Sequence, residues 1–318
     1  MKKEKILPIL KGIFISLFPL QKFTTPVTTG GTIDSRYCYS VWLRHLVKAN
    51  NNGITGIPAT VAELGPGDSI GLGLAALLSG TEKYYALDIF QYWNAGRNLR
   101  VFDELVQLFK NKTPIPEEEE FKPVSPKLED YSFPSVILTD AVLENSLAEE
   151  RIKKIRDELA APENKNGQQF IFCFTPWADK AIIKNETVNL IISQSVLEYL
   201  PDLDAGYTIK NQWLKPGGIM SHSIDLSSLG LTKEWNGHWT YTNLQWKLYR
   251  GKRKMYINRA PLSQHLSLLK KNRLTIIEQL LYTKENNISV NELAGPWRRL
   301  SKEDLCCKSF FIQCKKNY

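Results

Sequence analysis

The chain has 318 residues, of which 43% are hydrophobic, 11% aromatic and 23% charged. These are the proportions of a globular protein, and they exclude a largely disordered chain or a fibrous repeat. Lys and Arg number 41 and Asp and Glu 33, a net charge of +8.

The positive charge is concentrated in two segments. Residues 247–259 contain six Lys and Arg and no acid, and residues 1–22 contain five lysines against Glu4. Such patches suit a phosphorylated substrate, an anionic membrane or nucleic acid, and they also suit a solvated surface. Tyr249 and Tyr256 keep nucleic-acid binding by charge and stacking open.

Five cysteines are scattered along the chain without a C-x-x-C pair. This pattern argues against a disulfide framework or a zinc knuckle, so we expect no metal centre and a cytoplasmic protein.

Residues 6–20 are apolar but contain Lys11 and two prolines, and they are shorter than the ~20 residues that span a bilayer. No signal-peptide cleavage site follows them. We expect a short helix that either packs on the protein or makes peripheral membrane contact through residues 1–22.

The remaining pattern predicts an N-terminal helical segment, residues 1–56, and one α/β domain, residues 57–318. In the first segment, Asp34 or Ser35 can cap a helix with apolar residues at helical spacing. In the domain we predict strands at 57–64, 84–87, 188–193, 218–223, 274–281 and 308–314, with a tight turn at 65–68 and a helix at 69–78. Strands that alternate with helices predict a mostly parallel sheet covered on both faces.

Residues 91–165 interrupt this alternation. They contain predicted helices at 98–110 and 147–159 and, between them, a proline-rich acidic run. This stretch is too long for one crossover, so we predict an insertion that covers the active site.

The first predicted strand ends in Glu63-Leu-Gly65-Pro-Gly67. The two glycines allow a sharp turn and close approach of a ligand. A dinucleotide fingerprint needs a third glycine at position 70, which is Ile, and no Walker lysine follows. A carboxylate at Glu63 suits a cofactor with a cationic amino acid end. Asp88 ends the second strand, at the offset where acids bind ribose hydroxyls.

Together these motifs resemble the class I S-adenosylmethionine-dependent methyltransferases. The resemblance also rests on Ser193-Gln-Ser-Val-Leu-Glu-Tyr-Leu200 and on Leu214-Lys-Pro-Gly-Gly218, and it covers residues 57–90 and 168–318. It implies a Rossmann-like sheet of seven strands, mostly parallel with an antiparallel last strand, and S-adenosylmethionine as cofactor.

The resemblance also implies roles for individual residues. Glu63, Gly65 and Gly67 would surround the methionine part, and Asp88 would bind the ribose. Trp177, in the stretch 174–180, would stack on the adenine, and Gln194 and Ser195 would face the cofactor. Tyr199 stands where the family often has His.

A hydroxyl acceptor benefits from a base, and histidine suits this role near neutral pH. His238, in an aromatic loop, and His222, expected at the carboxyl edge of the sheet, are the candidates, and Asp225 could orient either one. We expect His45 and His265 to be packing or surface residues.

The chain lacks the D/N/S-P-P-Y/F/W motif of enzymes that methylate base amines, and it has no cysteine near the fourth or fifth strand ends. Residues 256–269 resemble a segment of sugar-modifying members, in which Arg259 would hold an anion or a structural carboxylate. Trp239 would belong to the acceptor surface. We therefore expect an O-methyltransferase of a small molecule, or of a sugar in a glycan or its lipid-linked precursor. An RNA methyltransferase and a non-catalytic cofactor-binding scaffold are the alternatives.

Overall fold

The computed structural model describes residues 3–18, 31–122, 124–162, 167–177, 182–253 and 255–317. Its elements, in chain order, are α1 (Lys3–Leu17), α2 (Ser35–Asn51), β1 (Thr60–Leu64), α3 (Gly71–Leu78), β2 (Lys83–Leu87), α4 (Ala95–Lys110), α5 (Asp140–Ser146), α6 (Glu149–Ala160), β3 (Ile171–Phe174), β4 (Val188–Gln194), α7 (Leu203–Trp213), β5 (Leu214–Asp225), α8 (Asn243–Arg250), α9 (Leu262–Lys271), β6 (Leu274–Thr283), α10 (Lys302–Cys306) and β7 (Cys307–Lys316).

The strands form one seven-stranded sheet in the order β3-β2-β1-β4-β5-β7-β6. Strands β1 to β5 pair in parallel, and β7 runs antiparallel to both β5 and β6. The order reverses between β1 and β4, and open α/β sheets bind ligands at such a point. The predicted fold is confirmed.

Helices cover both faces of the sheet because its central strands are apolar on both sides. Helices α2, α3 and α4 pack together on one face, and α7 and α9 pack on the other. Asp34 caps α2 by accepting from the N–H groups of Arg36 and Tyr37. The predicted helical segment 1–56 thus contributes a buried helix to the main core.

Several predicted bounds shift for local reasons. The strand predicted at 57–64 begins at Thr60, since Pro58 has no N–H to donate. The strand predicted at 218–223 spans Leu214–Asp225, with a shift of register against β4 around the Lys-Pro-Gly-Gly turn. Strand β3 and helix α7 were not predicted. Residues 123 and 163–165 of the predicted insertion lie outside the described residues.

The insertion is held against α2 by a buried arginine. The Arg44 guanidinium donates to the carbonyls of Pro116, Val124 and Pro126 and lies 3.3 Å from a Glu118 carboxylate oxygen. This contact brings the proline-rich run to the carboxyl edge of the sheet, where Ser125 hydrogen-bonds Ser223.

Helix α1 packs against α8 at a very short separation. A Cβ on Gly12 would lie 2.1 Å from the carbonyl oxygen of Leu248, so only glycine fits there. Residues 1–2 and 19–30 of the predicted N-terminal segment 1–56, and with them part of the predicted membrane-contact stretch 1–22, lie outside the described part of the chain. None of the described helices combines the length and the apolar character needed to cross a bilayer.

Candidate active site

The glycine turn and the end of β2 meet as the sequence predicts. Gly65 and Gly67 have φ angles of +65° and +72°, which side chains other than glycine rarely adopt. An Asp88 carboxylate oxygen lies 3.4 Å from the N–H of Gly67, and its other oxygen accepts from Ile89 and Phe90. Burial raises the pKa of Asp88, and these N–H groups oppose the shift.

Three N–H groups at and just before the start of α3 are paired with protein atoms. Ser69 donates to the hydroxyl of Thr32, Ile70 to the side chain of Asn98, and Gly71 to the hydroxyl of Ser69. A pyrophosphate bound at a helix N-terminus needs such groups free. These three N–H groups are therefore not free for a pyrophosphate, in agreement with the missing third glycine.

Glu63 lies beneath the turn. Its side chain is buried and accepts a hydrogen bond from the hydroxyl of Tyr84, which packs against Gly73 of α3. Burial raises the pKa of Glu63 to about 8, while the Tyr84 hydrogen bond opposes the shift. Direct contact of Glu63 with a cofactor stays a prediction, and Tyr84 is a partner that the sequence did not single out.

Gln194 and Ser195 lie at the carboxyl end of β4, next to the turn. The N–H of Ser195 donates to the carbonyl of Ser223 on β5, and Ser195 has a φ of +54°. The side chain of Val196 covers Gly65 at a distance that leaves no room for a Cβ. The structure thus brings Gly65, Gly67, Asp88, Gln194 and Ser195 to one edge.

Trp177 packs inside the protein. It is 7% exposed, and its ring meets Trp213 edge-on with centroids 6.2 Å apart. Residues 178–180 of the predicted adenine-binding stretch lie outside the described residues. Stacking of Trp177 on an adenine stays a prediction.

His222 lies one residue short of the end of β4, near the carboxyl edge of the sheet, but its side chain is buried in the sheet instead of facing a ligand. Strand β5 continues three residues further to Asp225, so His222 pairs within the sheet with Ser193. Its ring lies 2.8 Å from the Ser193 hydroxyl and 3.1 Å from the Lys210 ammonium, and it is fully buried. Burial lowers the pKa of His222 well below its ordinary value. No acceptor can reach it in this conformation.

His238 and Trp239 lie in a buried turn after β5. His238 is 1% exposed, and burial and the nearby Arg259 lower its pKa to about 3. Trp239 is completely buried and donates to the carbonyl of Arg259. The aromatic surface expected there is a small core, because these rings pack on Leu293 and Trp246 instead of facing solvent.

The buried side chain of Arg259 stabilises this turn through hydrogen bonds. Its guanidinium donates to the carbonyls of His238 and Tyr241 and to the side chain of Asn243. Burial lowers its pKa to about 10. Among the described residues it forms no ion pair, so it does not hold a structural carboxylate.

His45 and His265 are buried, as packing residues would be. His45 contacts the Ser221 hydroxyl at 2.7 Å, and His265 lies 3.0 Å from the hydroxyl of Tyr207. Burial lowers the pKa of His45 to about 4 and that of His265 to about 3.

A cavity of about 410 Å³ opens beside the ends of β4 and β5. Its polar lining includes Ser195, Ser223 and Asp225, and the insertion forms one wall. Four lysines also line it: Lys122, Lys127, Lys284 and Lys308. The insertion thus bounds a cavity at the predicted edge, and the four lysines make this cavity electropositive.

One further acid lies near this cavity. Glu198, to which the sequence analysis gave no role, is 3% exposed. Burial raises the pKa of its carboxyl well above the ordinary value, and the charge of Asp225 adds to the shift. Within the described parts of the chain, no group of three or more His, Cys, Asp and Glu side chains could hold a metal ion.

No protein-family model matches this chain, and no curated protein matches its sequence. It is similar to solved structures at low identity. A SAM-dependent methyltransferase from Methanosarcina mazei is 12% identical, with a TM-score of 0.43 over 85% of this chain and 97% of that one. Geranyl diphosphate C-methyltransferase from Streptomyces coelicolor is 11% identical, with a TM-score of 0.42 over 86% and 77%. An S-adenosylmethionine-dependent methyltransferase from Mesorhizobium loti is 11% identical, with a TM-score of 0.41 over 86% and 98%.

Proposed function

We propose that this protein is an S-adenosylmethionine-dependent O-methyltransferase that acts on a small molecule or on a sugar of a glycan or its lipid-linked precursor. The observation that carries the proposal is the contact between Asp88 and Gly67, at the point where the order of a seven-stranded sheet reverses. An acid expected to bind ribose and a glycine turn meet there, and three of the N–H groups that a pyrophosphate could use are paired with protein atoms.

The charges around the turn suit this cofactor. Asp68 and Asp88 are buried beside the glycines, whereas Glu63, beneath them, has a pKa of about 8 and adds little negative charge at neutral pH. A cofactor with an ammonium and a sulfonium is favoured by such an acidic surrounding, whereas an anionic cofactor is repelled. Asp88 would bind the ribose hydroxyls, and the turn would accommodate the amino acid end.

The bound cofactor would supply a methyl group for in-line displacement. The protein must hold the acceptor in line and remove its proton. The cavity beside Ser195 adjoins the turn, because Val196 packs on Gly65. Asp225 carries the one carboxylate among the described residues that line the cavity, and we assign it the role of base. His238 is buried and could act only after the turn around it opened.

The lysines of the cavity specify the acceptor further. Lys122 and Lys127 on the insertion face Lys284 and Lys308 across the same space. Several cations around a polar cavity select an acceptor that carries phosphate or carboxylate. A sugar phosphate or a phosphate-linked glycan precursor fits this charge.

Nucleic acid fits less well. Tyr249 and Tyr256, whose rings could have stacked on bases, are each 8% exposed and pack on Trp246. The basic segment therefore lacks exposed aromatic faces.

Calorimetric titration of the purified protein with S-adenosylhomocysteine tests the cofactor. We expect saturable binding, and Asp88→Asn should weaken it at least tenfold, since a hydrogen bond to a charged group contributes about 1.5–3 kcal/mol. Asp130→Asn is the control, because Asp130 is exposed and binds only Ser132. A folded wild-type protein that does not bind S-adenosylmethionine or S-adenosylhomocysteine would refute the proposal.

Methyl transfer to phosphorylated and neutral sugars tests the acceptor. We expect turnover of the phosphorylated sugar, a higher KM in Lys127→Gln and a lower kcat in Asp225→Asn. Exposed Lys153 on α6 provides the control variant Lys153→Gln. Equal turnover of neutral and phosphorylated acceptors would contradict the role of the lysines.

A further inference from the structure

Helix α1 has apolar side chains on two faces. The inner face packs on α8 through Ile9 and Ile15, which are 6% and 7% exposed. The outer face has helical spacing and consists of Leu7, Leu10, Phe14, Leu17 and Phe18, which are 74%, 55%, 49%, 71% and 49% exposed. A helix whose only task was to pack on the protein would be polar on this outer face.

The position of α1 is fixed by close backbone contacts. Gly12 meets the carbonyl of Leu248, and a Cβ on Gly251 would lie 2.4 Å from the carbonyl oxygen of Gly12. The ammonium of Lys5 donates to the carbonyl of Thr240 at 2.5 Å. The outer apolar face is therefore held in place on the folded protein.

Helix α8 extends this surface. Leu244 and Leu248 are 67% and 37% exposed, and they lie on the helix that packs beside α1. Exposed Lys11, Lys247 and Arg250 add positive charge, and no ion pair of the described residues involves them. We call the α1–α8 face the surface formed by Leu7, Leu10, Phe14, Leu17, Phe18, Leu244, Leu248, Lys11, Lys247 and Arg250.

We propose that the α1–α8 face docks on an anionic lipid bilayer. Leucine and phenylalanine side chains enter the boundary between headgroups and acyl chains, and the basic side chains contact anionic headgroups. A second copy of the chain would bring the same positive charges together. Nucleic acid would leave the apolar side chains without a partner. The membrane is the occupant that satisfies both kinds of side chain.

Co-sedimentation of the full chain with lipid vesicles tests the proposal. We expect the protein to pellet with vesicles of phosphatidylcholine and phosphatidylglycerol, to pellet much less with phosphatidylcholine alone, and to be released by salt. Leu10→Ser/Phe14→Ser should lower the affinity at least tenfold. The matched control is Val136→Ser/Val290→Ser, because these residues are 94% and 55% exposed outside the face.

The charge contribution is tested separately. Lys247→Gln/Arg250→Gln should weaken binding to the anionic vesicles by roughly thirty-fold, or about five-fold for each residue, from the ~1 kcal/mol that a basic residue contributes near an anionic surface. Lys110→Gln/Lys153→Gln, at exposed positions on α4 and α6, removes the same charge elsewhere. Circular dichroism and melting temperature show whether each variant is folded.

Three outcomes would overturn the proposal: absence of binding to anionic vesicles, equal loss in the control variants, or self-association that needs Leu10 and Phe14 while vesicles are not bound. The last result would assign the face to a second copy of the chain. None of these measurements depends on methyl transfer, so the proposal and the proposed activity can fail separately.

Discussion

Arg44 provides the sharpest test of how the insertion is held. It lies on α2 with no exposed surface, and its guanidinium donates to three backbone carbonyls at 2.8, 3.3 and 3.1 Å, those of Pro116, Val124 and Pro126. Its other contacts include the Ser40 hydroxyl, at 3.0 Å, and the ring of Tyr131. One side chain thus supplies hydrogen bonds to several backbone carbonyls of the proline-rich run, whose described residues form neither a helix nor a strand.

Replacing Arg44 by Met keeps much of the side-chain volume and leaves the carbonyls of Val124 and Pro126 without a donor, whereas the carbonyl of Pro116 keeps the Ser40 hydroxyl. A buried acceptor without a partner costs about 1–3 kcal/mol. Part of this cost is offset because the cation no longer has to be desolvated. For two such carbonyls we expect a net loss of about 2–4 kcal/mol in the free energy of unfolding, and at about 2–4 °C per kcal/mol a melting temperature lower by roughly 5–15 °C.

Urea unfolding and differential scanning calorimetry measure this loss, and limited proteolysis shows whether the insertion loosens first. Arg36→Met is the matched control, because Arg36 also lies on α2 and binds the acidic run, through Glu120. That pair is solvent-exposed, at 43% and 38%, so its loss should cost about 0–1 kcal/mol. Equal losses in the two variants would refute the idea that Arg44 holds the insertion.

Three further predictions concern other buried contacts. Gly12→Ala should destabilise the protein by about 1–3 kcal/mol because the alanine Cβ would meet the Leu248 carbonyl. Gly96→Ala, at an open position on α4, should instead stabilise it by about 0.5–1 kcal/mol. Thermal unfolding measures whether each variant melts below or above the wild type. The pKa of His238 is lowered to about 3 in the folded protein. As the pH falls, the unfolded chain therefore binds a proton at this residue before the folded protein does, and stability decreases below the ordinary histidine pKa near 6.5. Between neutrality and about pH 4 the wild type should lose roughly 3 kcal/mol more than His238→Gln in urea titrations, and parallel pH profiles would contradict the burial argument. Tyr84→Phe should raise the pKa of Glu63 above about 8 by removing a donor to its carboxylate. The stability that Glu63 contributes is lost as pH rises through its pKa. The variant should therefore be about 1 kcal/mol less stable than the wild type near neutral pH, and the difference should be larger near pH 9. Equal stability of the two proteins would show that the hydroxyl contributes nothing.

The glycine turn and Asp88 could be predicted because their signals are local. A positive φ restricts a position to glycine whatever the rest of the chain does, and an acid at the end of a parallel strand lies at the ligand edge of the sheet. The mostly parallel sheet followed from the alternation of strands and helices, and the antiparallel β7 agrees with the resemblance. These features do not depend on distant side chains.

The histidines could not be placed in this way. His222 lies on β5, and its distance from the edge depends on where that strand ends. Antiparallel pairing with β7 continues to Asp225 and keeps β5 in the sheet beyond His222. A sequence pattern does not show how far such pairing continues, so a residue expected to face a ligand is a core residue bonded to Ser193 and Lys210.

The cavity depends on contacts between residues far apart in the chain. Lys122 and Lys127 reach it because distant residues hold this part of the insertion: Arg44 donates to its carbonyls, Ser223 bonds Ser125, and the Tyr282 hydroxyl accepts from the N–H of Lys127. Proline-rich runs give no periodic signal, and a carbonyl acceptor has no side-chain signature. The sequence could indicate that the insertion covers the site but not which of its residues face the acceptor.

The cavity and the α1–α8 face are joined by the segment that follows β5. Asp225 lines the cavity at the start of this segment, and at its end the Thr240 carbonyl accepts from Lys5 of α1. The buried guanidinium of Arg259 stabilises the segment by donating hydrogen bonds to the carbonyls of His238 and Tyr241. An arginine with no carboxylate partner is costly to bury, and its cost is offset only by the oxygens that it satisfies. If both proposals hold, Arg259 keeps the acceptor cavity at a fixed position relative to the membrane, which is what an enzyme needs when its acceptor is tethered to a lipid.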